Sequence, residues 1–416
     1  MSDALKFIAS SKRADGSPDD SAPRPSAESS AGSRKDKGKK KLGKMSETPP
    51  KPVVLEKAPT PPQESGEVPI EKHVEVSTTA KLPPLPLGEA LPLFRHHFHF
   101  LKAEIQKAIV GYDELLTDTL VAIFSGGHIL LEGVPGLGKT YLVRVLSHVI
   151  GLEPGRVQCT PDLMPADILG THIVNEDSHG RRVLHFERGP VFKNILLVDE
   201  INRATPKTQA ALLEVMQEHA VTAGGERHRL PEPFFVMATQ NPMEMEGTYP
   251  LPEAQLDRFM FKLKVPFPTL ESLVEISRRT TGFEEPELAS VLDGQELMRL
   301  QQSLAHLPVA DPIASYASRL VLGTHPDQPD ALPGIRRYVA YGSSPRGLQA
   351  LVRGARIRCA VRGGTAVSTD DVRAVAHVAL RHRMILNFEG EASQVKVDGL
   401  IDDLLKQVST PAREAA

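Results

Sequence analysis

The chain has 416 residues, 40% of them apolar and 24% charged, with 49 basic against 52 acidic side chains. That composition fits a soluble protein of two or three domains and excludes a strongly cationic nucleic-acid binder or an acidic tail protein. Two distant cysteines, Cys159 and Cys359, exclude a disulfide framework, and no run of 18 apolar residues predicts a membrane span. The apolar stretch 4–9 is too brief for a signal-peptide core, so the expected compartment is the cytoplasm.

Residues 1–86 hold 13 of the 35 prolines and only 13 Leu, Ile, Val and Phe together. Such a segment cannot bury enough apolar surface to offset its chain entropy, and it is expected to be a disordered tail and linker. It contains a basic run over residues 34–44. Globular patterning begins near residue 87. Residues 94–109 have apolar spacing of a helix, with His96, His97 and His99 on it; no carboxylate or cysteine is spaced to complete a metal site there. A strand over 128–131 leads into a glycine-rich loop and a helix over 139–150. Short strands are expected at 156–160, at 173–174 and 183–186 around the turn Ser178-His179-Gly180, and at 195–198. A helix over 205–218 has Thr205 as N-cap and Pro206 at its first position. A second hairpin turns at residues 223–226, and two further strands cover 234–239 and 259–265. From 268 onward the pattern is helical: 270–279, 295–307, 312–322, 345–361 and 369–381. Strands alternating with helices predict an α/β domain with a parallel sheet over 87–267, followed by a separate helical domain over 268–416.

Gly133-Val134-Pro135-Gly136-Leu137-Gly138-Lys139-Thr140 fits G-x-x-x-x-G-K-[ST] between an expected strand and an expected helix. Glycines let successive backbone N–H groups close around phosphate oxygens, and the helix N-terminus favours the anion. Lys139 is placed to reach the β- and γ-phosphates of ATP, and the Thr140 hydroxyl to ligate Mg²⁺. Asp199-Glu200 ends the apolar run 195–198, where a parallel strand delivers its carboxylates to the ligand crevice. Asp199 suits the Mg²⁺ ion. Glu200 suits a general base on water.

The residues around these motifs are more specific. Gly111, Gly126-Gly127-His128, Thr160-Pro161-Asp162-Leu163-Met164-Pro165-Ala166-Asp167, Gly189-Pro190-Val191-Phe192, Asp199-Glu200-Ile201-Asn202-Arg203-Ala204 and the run from Thr248 through Asp257-Arg258-Phe259 resemble the MoxR family of AAA+ ATPases. The resemblance spans about 101–383 and includes Ser344-Pro345-Arg346; the first 86 residues have no counterpart in it. It implies a phosphate-loop AAA+ core, an α/β doubly wound parallel sheet, with an all-helical lid, assembling into a homo-oligomeric ring, usually a hexamer. It makes Asn241 the first sensor, which orients the attacking water, Arg258 the arginine finger and Arg346 the second sensor. Arg203 is a weaker candidate, equally suited to packing at a helix start or to an intersubunit pair. The hairpins at 173–186 and 221–230 would point into the ring's pore.

The family further implies an ATP-driven chaperone that remodels, assembles or activates a protein complex, by cofactor insertion among other routes, with a von Willebrand A domain partner. A nucleic-acid motor recruited through the basic tail is the alternative, and a nucleotide-gated scaffold with little turnover is a third reading. Outside residues 1–86 there are 34 basic and 40 acidic side chains, which argues against nucleic acid. The complete set Lys139, Asp199, Glu200, Asn241 and Arg258 argues against the scaffold.

Overall fold

A computed structural model describes residues 82–176, 182–242, 247–282 and 286–410. The expected disordered segment lies outside the described residues up to 81, as does the turn Ser178-His179-Gly180. Residues 82–86 are described, and they dock. The Leu85 N–H donates to Ser303 Oγ at 2.8 Å, and Arg299 Nε donates to the Pro83 carbonyl at 3.0 Å.

Helix α1, Leu87–Ala108, starts about two turns earlier than its apolar spacing suggested and buries Phe94, Phe98, Leu101 and Ile105. Phe94 meets Phe124 edge-on at 4.9 Å, which seats α1 on α2, Asp113–Phe124. Helix α2 gave no periodic signal because nearly its whole circumference is buried, the polar Thr117, Asp118 and Thr119 included, and a helix buried all round has no single apolar stripe to detect.

The α/β part follows in order: β1 Ile129–Glu132, α3 Lys139–Val149, β2 Pro154–Gln158, α4 Pro165–Leu169, β3 Gly170–Glu176, β4 Arg182–Arg188, β5 Ile195–Asp199, α5 Pro206–Glu218, β6 Ala220–Ala223, β7 Glu226–Arg229, β8 Phe235–Gln240, α6 Glu253–Leu256 and β9 Phe261–Lys264. Five strands form one parallel sheet in the order β2-β5-β8-β1-β9. Successive residues alternate between two cores. Ile129, Leu131, Leu197 and Met237 face the side of α3, whereas Leu130, Leu196, Val198 and Val236 face Leu212, Leu213 and Met216 of α5. Burial on both faces explains the unbroken apolar runs of these strands. Thr205 caps α5 by accepting the Thr208 N–H at 3.4 Å, with Pro206 at the first position as expected. β3–β4 and β6–β7 are antiparallel hairpins outside the sheet. They touch through Phe186, which stacks on His228 at 4.3 Å between ring centres.

The C-terminal part is helical: α7 Leu270–Thr280, α8 Gly294–Leu304, α9 Asp311–Gly323, α10 Pro333–Tyr338, α11 Pro345–Arg362, α12 Thr369–Leu380, α13 Phe388–Ala392 and α14 Val397–Gln407. A small antiparallel pair, β10 Val339–Tyr341 with β11 Ile385–Leu386, is its one addition among the described residues to the helical pattern. Its core is continuous with the α3 side of the sheet, through Leu300, Tyr316, Leu351, Val375 and Ile401. Phe261 of β9 lies so close to Gly354 of α11 that a Cβ there would come within 2.8 Å of the ring.

Candidate nucleotide site

The phosphate loop leaves the C-terminal end of β1 and opens α3. Its turn needs two left-handed residues, Gly136 at φ +84° and Gly138 at φ +76°, and open space surrounds both. Gly133 is required for a different reason: a Cβ would come within 2.9 Å of the Val265 side chain, just past β9. No side chain caps α3, and its first turn holds no acid, so its leading N–H groups are left for an anion. Lys139 Nζ donates to the Gly133 carbonyl at 2.6 Å, folding the ammonium back across the loop. Burial lowers the Lys139 pKa, and the charges of Asp199 and Glu200 oppose that shift. Both carboxylates therefore act on the loop lysine, although they are 60 residues away in sequence.

Asp199 closes β5. Its Oδ1 accepts from Thr239 Oγ1 at 2.7 Å and its Oδ2 from Arg156 Nη2 at 3.1 Å. Glu200 sits in the left-handed region at φ +56°, an uncommon conformation for a residue with a Cβ. The same Thr239 hydroxyl accepts the Glu200 N–H at 2.8 Å and so fixes that backbone. The Glu200 carboxylate takes Gln158 Nε2 at 3.2 Å and Arg203 Nη1 at 3.1 Å. Arg203 thus pairs within its own chain with Glu200. Asn241 is buried directly after β8, the strand between β5 and β1, and the preceding Gln240 carbonyl accepts the Gly133 N–H at 3.2 Å. Lys139, Thr140, Asp199, Glu200 and Asn241 are therefore all carried at the C-terminal edge of three adjacent strands. Hard oxygen donors, the Thr140 hydroxyl and the Asp199 carboxylate, are the kind a Mg²⁺ ion takes.

Arg258 and Arg346 are elsewhere. Both line a cleft of about 210 Å³ together with Gly126, His128, Arg353 and Arg383. His128 immediately precedes β1 and the phosphate loop follows it, so four residues, roughly 13 Å of strand, separate the two places. The Met260 N–H donates to the His128 carbonyl at 2.8 Å, which pins the Arg258 segment at the far end. Arg258 Nη1 donates to the Leu213 carbonyl, while its buried Nε has no protein partner. Arg346 Nη1 lies 3.6 Å from Asp257 Oδ2.

Residues 128–261 match the family described as ATPase family associated with various cellular activities (AAA), and residues 335–404 match the AAA lid domain. The chain is 43% identical over 308 residues to Chaperone MoxR1 of Mycobacterium tuberculosis, covering 74% of this chain and 81% of that one. It is 34% identical over 326 residues to Protein MoxR of Methylorubrum extorquens, covering 74% and 93% respectively. The chain belongs to the MoxR family of AAA+ ATPases. A crystal structure from Cytophaga hutchinsonii described as an ATPase superposes with a TM-score of 0.73 at 36% identity, over 78% of this chain and 98% of that one.

Sequence reading missed several residues of this MoxR site. Thr239 is the main one, because its hydroxyl ties Asp199 and Glu200 together across neighbouring strands. The strand order that brings β8 beside β5 is not a local property, so only a polar residue at the end of an apolar strand hinted at it. Arg156 and Gln158 on β2 were read as strand residues alone, yet they contact Asp199 and Glu200. Asp257 entered as part of the motif run ending at Phe259, and its contacts with Arg383 and Ser344 became visible only in the fold.

Proposed function

We propose that this MoxR-family protein is an ATP-hydrolysing chaperone that remodels, assembles or activates a protein complex, working as a ring in the cytoplasm. One observation supports a ring above all: the lysine, acids and amide stand at one end of β1, and the two arginines at the other. In a chain built this way Arg156 and Arg203 are engaged by Asp199 and Glu200, Arg258 and Arg346 lie at the other end of β1, and a neighbour's Arg258 and Arg346 can complete the site. A head-to-tail contact of that kind closes into a ring when its rotation divides a full turn, and the family makes a hexamer the expected number.

In the working site the α3 N-terminus and Lys139 hold the triphosphate. Mg²⁺, when bound by Thr140 and Asp199, supplies charge neutralisation at the phosphates. Asn241 orients the attacking water and Glu200 takes its proton, once its carboxylate leaves Gln158 and Arg203. Arg258 from the next subunit stabilises charge on the transferring phosphoryl group. A von Willebrand A domain protein is the expected partner by family, and the name Chaperone MoxR1 of the mycobacterial relative agrees with a protein client. Among the described residues no helix is long and apolar enough to cross a membrane.

The test is a pull-down with Glu200→Gln as bait in ATP, beside ATPase assays with and without DNA or RNA. A captured protein complex and a rate indifferent to nucleic acid are expected. Strong stimulation by nucleic acid, with no protein retained, would replace this reading with the motor.

A further inference from the structure

The loop that presents Arg258 and the helix that presents Arg346 are far apart in sequence, and a single carboxylate joins them. Asp257 Oδ1 accepts from Arg383 Nε at 2.8 Å, and the Ser344 hydroxyl lies 2.9 Å from Oδ1 and 2.8 Å from Oδ2. The Asp257 carbonyl accepts Arg383 Nη2 at 3.1 Å. Ser344 is at the same time the N-cap of α11, accepting the Arg346 N–H at 3.1 Å. Arg383 is almost fully buried and also donates to the carbonyls of Phe259, at 2.7 Å, and Met260, at 3.0 Å. Its aliphatic stem runs beneath the first turn of α11 at Gly347, where a Cβ would approach Arg383 Cδ to 3.1 Å and Ser343 Oγ to 2.0 Å. Arg258 is one residue beyond the carboxylate and Arg346 two residues beyond the serine, so this clamp fixes the backbones of both.

We propose that Asp257 is the positioning residue of the arginine edge: with Ser344 and Arg383 it locks the Arg258 loop to the start of α11, so that Arg258 and Arg346 are presented to the adjoining subunit as one rigid cationic jaw. This rests on the reading that Arg258 acts in trans. Asp257 touches no substrate. Its charge is already met by Arg383, which leaves Arg346, at the longer 3.6 Å, held loosely enough to turn toward phosphate.

Asp257→Asn keeps the shape and an acceptor but weakens the clamp. Displacing a catalytic group by about 1 Å costs on the order of 100-fold in rate, and a loss of that size in kcat is expected, with the ATP affinity of the variant's own phosphate loop changed less than about twofold. The deciding readout is complementation. Asp257→Asn has an intact phosphate loop, and Lys139→Ala has an intact jaw. Mixed rings, with subunit exchange followed by fluorescent labels, should hydrolyse ATP faster than the sum of the two proteins assayed apart. Arg258→Ala mixed with Lys139→Ala is the control for action in trans. Rescue of Arg258→Ala without rescue of Asp257→Asn overturns the Asp257 assignment and leaves the trans reading standing. Rescue of neither removes the trans reading and the jaw with it. Should Asp257→Asn fail to fold, Ser344→Ala cuts the lid side of the clamp without stranding the buried Arg383. Normal kcat in a folded Ser344→Ala ring would equally sink the proposal.

Discussion

The two ends of β1 solve opposite problems with opposite materials. At the phosphate end backbone amides, shaped by left-handed Gly136 and Gly138 and left uncapped at the start of α3, stand beside the side chains of Lys139, Asp199 and Glu200. At the arginine end the groups are side chains, and several are already engaged: Arg383 by the Asp257 carboxylate and the carbonyls of Asp257, Phe259, Met260 and Ala379, Arg258 Nη1 by Leu213, Arg353 by Ser125. The first end waits for a ligand. The second is already assembled and needs only an orientation toward one. On the proposed ring reading, ends set on opposite sides of one short strand are completed by a neighbour, and hydrolysis would report on subunit contact as well as on nucleotide.

Lys139→Ala tests the phosphate end most severely. The variant loses the charge-assisted contact and the orientation of the γ-phosphate, so ATP binding should weaken and turnover should disappear. Calorimetry decides it, since wild-type affinity in the variant would remove the loop from the site. Arg258→Ala should break the comparison from the other side. Binding stays near normal because the phosphate loop is untouched, while hydrolysis falls by roughly 10³–10⁵, the range known for a finger supplied to a phosphate-loop site. Parallel loss of affinity and rate would mean that the two ends are not independent. Glu200→Gln is the milder lesion, expected to slow turnover about 10²–10⁴-fold while ATP binding and assembly persist. Its single-turnover rate separates this from slow product release.

How far each end was legible in the sequence follows from the same contrast. Phosphate-loop chemistry is local: eight consecutive residues, a strand before and a helix after, and the whole of 133–140 lies where the pattern put it. The acids of β5 were legible because an apolar run ending in Asp199-Glu200 marks a strand's C-terminal edge. Thr239 was not, since its partners come from a strand that precedes it by 40 residues and becomes its neighbour only in the sheet. The arginine end was legible only by resemblance. Asp257 and Arg383 are 126 residues apart, and no spacing rule connects them. Helix α2 escaped for a third reason, since burial all round erased the periodicity that betrays most helices.

The smallest expected effect sharpens the comparison through acid. His128 lines the arginine cleft, buried, and bridges two elements. Its Nδ1 accepts the Val236 N–H at 3.0 Å, and its Nε2 lies 3.0 Å from the Met216 carbonyl. A ring that accepts at Nδ1 and donates at Nε2 is neutral, and a second proton would have to go to Nδ1 and eject the Val236 N–H. Burial first, then the charges of His219 and Arg353, push its pKa down from 6.5 to about 4. The unfolded chain takes this proton near pH 6.5 and the folded chain near pH 4, so between those values the unfolded state binds more protons. Stability is therefore whole above pH 6.5 and is lost as pH falls toward 4, by up to about 3 kcal/mol from this group. His382, likewise buried and hydrogen-bonded to the Phe259 carbonyl, has its pKa lowered and acts in the same direction. Asp118, whose pKa is raised by burial to about 6, acts in the opposite one, since its protonation on acidification relieves a buried charge. His128→Asn removes one titration. Its melting temperature should start lower at pH 7.5 and fall less steeply from pH 6.5 to 4.5 than that of the wild type. Hydrogen exchange locates the effect: acid should open the Val236 amide ahead of the Leu142 amide, which donates to Gly138 at the phosphate end. Equal acid slopes in the two proteins, or simultaneous opening of the two amides, would show that protons do not distinguish the ends of β1.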